Sequence, residues 1–124
     1  FFVDYIKPQE TGNRTDVRWV SMTNDDGIGL LAKSFTPIEF NALEYTPEQL
    51  TNNLHSYLLP ESDSVIWRLN YKQMGLGGDN SWGAKPLDKY QIPANQTYSY
   101  TYTLKPISTS DVDASMEESK VVLP

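Results

Sequence analysis

An all-β chain, with antiparallel strands packed face to face as a sandwich and one short helix, is what the sequence predicts. Several segments alternate apolar and polar residues with a period of two, Asn, Asp, Gly and Pro clusters separate them, and only one stretch carries a complete helix start. The 124 residues amount to one domain or part of one, able to bury roughly two-thirds of the unfolded surface if folded alone.

Phe1 to Ile6 is apolar and aromatic enough for a strand, which Pro8 ends because proline has no N–H to donate. Pro8 to Arg14 is polar and turn-forming. From Asp16 to Thr23, Val17 and Trp19 fall on one face and Arg18, Val20 and Met22 on the other, so a strand covered on both sides over part of its length is expected. Asn24-Asp25-Asp26-Gly27 is a strong turn signal, and Ile28 to Lys33 returns as the hairpin partner. A further half-buried strand is expected where Ile38, Phe40 and Ala42 alternate with Glu39 and Asn41.

Thr46-Pro47-Glu48-Gln49 reads as N-cap, proline at the first helical position and capping-box glutamine, with Leu50 and Leu54 on one face and the end near His55. Val65 to Lys72 puts Val65, Trp67, Leu69 and Tyr71 on one side and Arg68, Asn70 and Lys72 on the other. Tyr90 to Pro93 reads as a short edge strand and Ala94 to Gln96 as a turn. In Thr97 to Leu104, Tyr98, Tyr100, Tyr102 and Leu104 share what is expected to be an inner sheet face. The domain is bounded at residues 1–104. Residues 105–124, rich in Ser, Asp and Glu, read as a solvated tail or linker with a late strand at 121–123.

Between the strand-like segments lies Gln73-Met74-Gly75-Leu76-Gly77-Gly78-Asp79-Asn80-Ser81-Trp82-Gly83. Four glycines in nine residues imply positive φ or close backbone approach, and the long irregular stretch they open is of a kind usually kept for function. Trp82 has no strand period to bury it. It either pins the loop or offers its face to a ligand, and an indole beside Asp79 and Asn80 has the composition of a sugar subsite: an apolar ring for the C–H face of a pyranose, carboxylate and amide for its hydroxyls. Trp19 and Trp67, inside apolar alternations, are expected in the core.

Other chemistry is poorly supported. A net charge of -6 with scattered acids disfavours nucleic acid and anionic membrane surfaces. Without cysteine there is no disulfide, thiolate metal site or Cys nucleophile, and His55 alone supports neither a triad nor zinc. Asp25-Asp26 and Asp79-Asn80 lack the calcium-loop ladder, and Gly75-Leu76-Gly77-Gly78 lacks the lysine of a phosphate cradle and is followed by Asp79. Asn13-Arg14-Thr15 and Asn95-Gln96-Thr97 match the glycosylation pattern, about as often as chance gives. No apolar run approaches the roughly 18 residues of a membrane span, and the start at Phe1-Phe2-Val3 reads as a soluble segment cut from something longer.

Two runs, Pro8-Gln9-Glu10-Thr11-Gly12-Asn13-Arg14 with Asp16-Val17-Arg18-Trp19, and Gln73 to Gly83, resemble the signature runs of the C-terminal domain of bacterial β-galactosidases of glycoside hydrolase family 2. Phe40 to Leu50 and His55 to Pro60 are also similar, so the resemblance covers residues 1 to about 104. It implies about half of a large, galactose-mutarotase-like supersandwich whose tryptophan, here Trp82, stacks on the sugar at the active-site mouth. The family's Asp-Asp pair stands here as Asp79-Asn80, both expected to bind substrate. Glu10 and Arg14, with Gly75, Gly77 and Gly78, are expected to be structural, the first two as a buried ion pair or backbone tie near the loop.

The resemblance also implies that both catalytic Glu residues, magnesium and an alkali cation belong to a separate barrel domain, leaving no catalytic residue, metal or cofactor in this segment, which is expected to be inert alone. The expected partners are that barrel and the other domains of the parent chain, a galactoside substrate, and further copies of the parent in a homo-oligomer. The compartment, bacterial cytoplasm or periplasm, stays open. A free-standing carbohydrate-binding or protein-interaction sandwich is the rival reading, and a loop that only braces neighbouring domains is a third.

Overall fold

The computed structural model describes residues 5–75, 77–80 and 82–121. Among them, four strands form one antiparallel sheet: β1 (Arg14–Thr23), β2 (Ile28–Leu43), β3 (Ile66–Asn70) and β4 (Thr103–Ser108), with helices α1 (Pro47–Asn52) and α2 (Val112–Lys120). This is an all-β, sandwich-like domain in which β2 is the axis. β1 lies along one edge of β2, while β4 and β3 divide the other edge, β4 against Ile28–Lys33 and β3 against Glu39–Leu43.

The β1–β2 turn forms as its composition dictates. Asn24 accepts from the Gly27 amide through its carbonyl (3.0 Å) and from the amides of Asp26 and Ile28 through Oδ1 (3.1 and 2.9 Å), and Gly27 adopts φ 77°. The two strands expected at 28–33 and 38–42 are one, interrupted by irregular pairing. Between Trp19↔Lys33 and Val17↔Ile38, β2 carries three more residues than β1, and Pro37 falls in that bulge, where no ladder N–H is needed. A second irregularity, between Val17 and Arg14, is taken up by Asp16 at φ 56°, a conformation Asp tolerates better than most residues.

Beside the β1–β2 turn the register sorts residues onto two faces. Trp19, Ser21, Leu31, Lys105 and Ile107 point to the side where α2 packs on β1 and β2. There Leu31 is fully buried and Ile107 nearly so. Lys105 pairs with Glu118 of α2, and the Lys33 ammonium donates to the carbonyls of Ser119 and Val121. Val20, Met22, Ile28, Leu30, Leu104 and Pro106 point the other way, with Ile28, Leu30 and Leu104 exposed.

The helix start at Thr46 is as expected, with both halves of the capping box in place (3.2 and 2.8 Å) and Leu50 buried. The helix stops at Asn52 and not near His55, because Asn53 turns extended and gives both its backbone and its side-chain N–H groups to the Gln49 carbonyl; Leu54 is consequently exposed. β3 is shorter than the predicted Val65–Lys72, and Trp19 and Trp67 are half-buried.

Three expectations in the second half are corrected. No strand forms at Tyr90–Pro93: Asp88–Tyr90 is a single 3-10 turn, held where the Gln91 side chain donates to the Pro86 carbonyl (2.8 Å). Residues 97–102 are not a strand, because the bulge at 34–37 removes the straight edge they would pair with, and β4 begins only opposite Lys33. Tyr98, Tyr100 and Tyr102 are therefore at least 36% exposed, and with Tyr71 they form a row of rings at 5.7 to 5.9 Å centroid spacing. The segment expected to be a solvated tail instead continues β4 to Ser108 and forms α2, with Asp111 as N-cap accepting from Ala114 N (2.8 Å). Of the strand expected at 1–6, Phe1–Asp4 lie outside the described residues, as do Val122 and Leu123 of the late strand; Tyr5 and Ile6 are exposed and in no strand.

Candidate functional site

The candidate site is the loop after β3, and β2 holds its beginning. One carboxylate oxygen of Glu39 accepts from the Gln73 amide (3.0 Å) and from Asn13 Nδ2 (2.9 Å), so the two signature runs meet at one side chain. Two residues along, buried Asn41 donates to the Thr11 carbonyl (3.4 Å), and on neighbouring β3 Arg68 pairs with Glu10 (2.5 Å). The first run is thus laced to the polar members of the β2 and β3 alternation.

Glu10 and Arg14, expected as a buried ion pair or backbone tie, have the following contacts. The ion pair is Glu10–Arg68 and is part-exposed, whereas Arg14 donates to the carbonyls of Gly12 and Asn13 (3.4 and 3.3 Å). Glu39 and Asn41 went unseen in the sequence because a polar residue in a period-two alternation looks the same whether it faces water or a neighbouring loop. Asn13 Oδ1, Asn41 Oδ1 and Arg68 Nη2 are buried without a partner among the described residues.

Within the loop, the glycines differ in their reasons. Gly83 has φ 104°, a backbone that side-chain-bearing residues rarely adopt. A Cβ on Gly78 would sit 2.4 Å from the Ala84 carbonyl oxygen, so the chain can double back past itself only without one. The Gly75 amide donates to the Tyr90 carbonyl (2.9 Å), tying the loop to its far side. A Cβ on Gly77 would meet nothing within 4 Å. Leu76 and Ser81 lie outside the described residues.

Asn80 Oδ1 accepts from the Trp82 amide (2.9 Å), a local turn that sets the indole at the loop tip. There Trp82 is 92% exposed. Asp79 and Asn80 are exposed beside it, and Asp79 makes no hydrogen bond or ion pair among the described residues. Chemically the tip combines an apolar plane, an uncommitted carboxylate and an amide nitrogen. His55 is elsewhere, exposed and stacked on Tyr57 (5.2 Å between centroids). Among the described residues, no group of three or more His, Cys, Asp or Glu could hold a metal ion.

The family model described as beta galactosidase small chain matches residues 1–104. The chain belongs to this family. Relatives within the β-galactosidases agree: that of Priestia megaterium is 54% identical over 103 residues, that of Bifidobacterium adolescentis, BgaC, 40% over 104, and that of Streptococcus thermophilus 35% over 111. These alignments take in 83%, 82% and 86% of this chain, and about a tenth of each relative. The small-chain match ends inside β4, so α2 lies beyond it. Both signature runs lie within the matched residues.

Proposed function

We propose that this chain is the non-catalytic C-terminal domain of a β-galactosidase hydrolysing terminal β-D-galactosides such as lactose, and that Trp82 completes its sugar pocket. The observation that carries this reading is an indole almost wholly in solvent at the tip of a loop anchored at both ends. A tryptophan that pinned the loop would be packed, and burial is what normally repays so large an apolar ring. Here the ring is exposed, and in this reading the catalytic barrel of a longer chain meets it.

In this reading the C–H face of the galactoside or of its leaving group lies on the indole, and Asp79 accepts a hydrogen bond from a sugar hydroxyl. Asn80 is committed through Oδ1 and has its amide N–H groups to offer. A retaining glycosidase breaks the bond with two carboxyl groups about 5 to 5.5 Å apart, and those, with any magnesium or alkali cation, are assigned to residues outside this chain. What Trp82 contributes is retention and orientation of the sugar.

The test is Trp82→Ala in the full-length chain. Stacking contributes about 0.5 to 1.5 kcal/mol beyond buried area, a factor of roughly two to ten in affinity. The KM for galactosides is expected to rise by that factor, and transfer to a sugar acceptor to fall relative to hydrolysis, because an acceptor held only by stacking leaves sooner. An unchanged KM together with an unchanged transfer ratio would refute the role given to Trp82.

A further inference from the structure

The β2 bulge, residues 99–103 and the C-terminal end of α2 enclose a groove of about 650 Å³ that shares no residue with the glycine-rich loop. Its volume is within the range of small-molecule sites, and its lining is unlike the rest of this acidic protein. Arg18, Lys33 and Lys120 line it, and among the described residues no Asp or Glu does. Arg18 makes no hydrogen bond or ion pair among the described residues. Lys33 donates to two main-chain carbonyls, which carry no charge, and has no ion pair among the described residues. Among the described residues Lys120 is paired with Glu117 alone, at the surface, where such a pair holds weakly.

Aromatic surface stands between these cations. Phe35, in the stretch where β2 carries three additional residues, is 98% exposed and lines the groove together with Trp19 and Tyr100. Thr36 and Ser99 also line it. Flat rings suit the C–H face of a sugar and hydroxyls suit its equator, while Arg18 and Lys33, without an ion pair among the described residues, call for a negative charge on the ligand.

We propose that this groove is a second saccharide site, taking a sugar ring that carries an anionic group, either a carboxylate or a phosphate. Arg18 holds the anion and Phe35 stacks on the ring. Neutral galactosides fit it poorly, because the cations would be desolvated without a counter-charge.

Isothermal titration of the full-length chain with glucuronate, glucose 6-phosphate and neutral glucose tests this. Both anionic sugars, or one of them, should bind about tenfold more tightly than glucose, since a charge-assisted contact is worth about that factor. Raising the salt concentration should weaken that binding. Arg18→Gln should bring the anionic sugar to the level of glucose, Phe35→Ala should weaken binding about threefold or more, and Trp82→Ala should change neither, which separates this site from the loop. Glucuronate alone binding marks a uronate site and glucose 6-phosphate alone a sugar-phosphate site. Equal affinity for all three sugars, no binding, loss of binding on Trp82→Ala, or an acidic peptide competing more strongly than either anionic sugar would overturn the proposal. Both groove substitutions are at exposed positions, and an unchanged thermal midpoint confirms that a loss of binding is local.

Discussion

At Glu39 a single carboxylate oxygen receives both the Gln73 amide and the Asn13 side chain, so the start of the indole's loop is held by a residue well outside it. Hydrogen bonds to a charged acceptor contribute about 1.5 to 3 kcal/mol each, and an amide left without its acceptor also loses the protection of that bond. Glu39→Ala should therefore raise the hydrogen-exchange rate of the Gln73 amide by about tenfold or more while the β1–β2 ladder around Ser21 keeps its protection. Equal exchange in variant and parent would mean that the loop is positioned without this carboxylate. The residues of the loop itself were readable in advance, because a glycine that must pass within 2.4 Å of a carbonyl, as Gly78 would with a Cβ, leaves a compositional mark. Glu39 left none, since its function is set by which loop happens to cross its face of the sheet.

Among the elements, those with self-contained signals were legible and those that depend on a neighbour were not. The Asn24–Gly27 turn and the Thr46 capping box each close hydrogen bonds within a few residues, so their chemistry is written locally. The alternation at 97–102 is just as regular, but a strand needs an edge, and the bulge at 34–37 withdraws it. α2 was hidden by composition: a polar helix in a Ser- and Asp-rich stretch resembles a linker, although Asp111 as N-cap, Asp113 in the first turn and Lys120 in the last were there to be read. That cap can be tested. Asp111→Ala removes the acceptor for Ala114 N and should destabilise the helix by about 1 kcal/mol, with Asp111→Asn recovering most of the loss. Thermal unfolding followed by circular dichroism reads the difference, and a midpoint unmoved by the alanine would show that packing on β1 and β2 alone holds α2 in place.

For the whole molecule, the decisive asymmetry is between the two faces of the sheet near the β1–β2 turn. One is covered by α2, whereas the other leaves Ile28 62% exposed, Leu30 40% and Leu104 47%, beside Val20, Met22 and Pro106. Antiparallel sheets tolerate one wet face when it is polar, and this one is not. Such a face calls for a second layer, and this chain spans about a tenth of its relatives' length. The isolated 124 residues have only copies of themselves to cover it. Full burial of three such side chains stabilises by at most about 1.5 to 3 kcal/mol each, against an association cost of about 4 kcal/mol or more. The expected self-association is therefore weak, with a dissociation constant on the order of 0.1 mM at its tightest. Sedimentation equilibrium over a concentration series should show the mean mass rising from one chain toward two, and Leu30→Lys should hold it at one without lowering the unfolding midpoint, because Leu30 is already partly in water. A chain that stays monomeric at millimolar concentration, or a Leu30→Lys variant that unfolds, would place that leucine in the interior of a domain complete in itself.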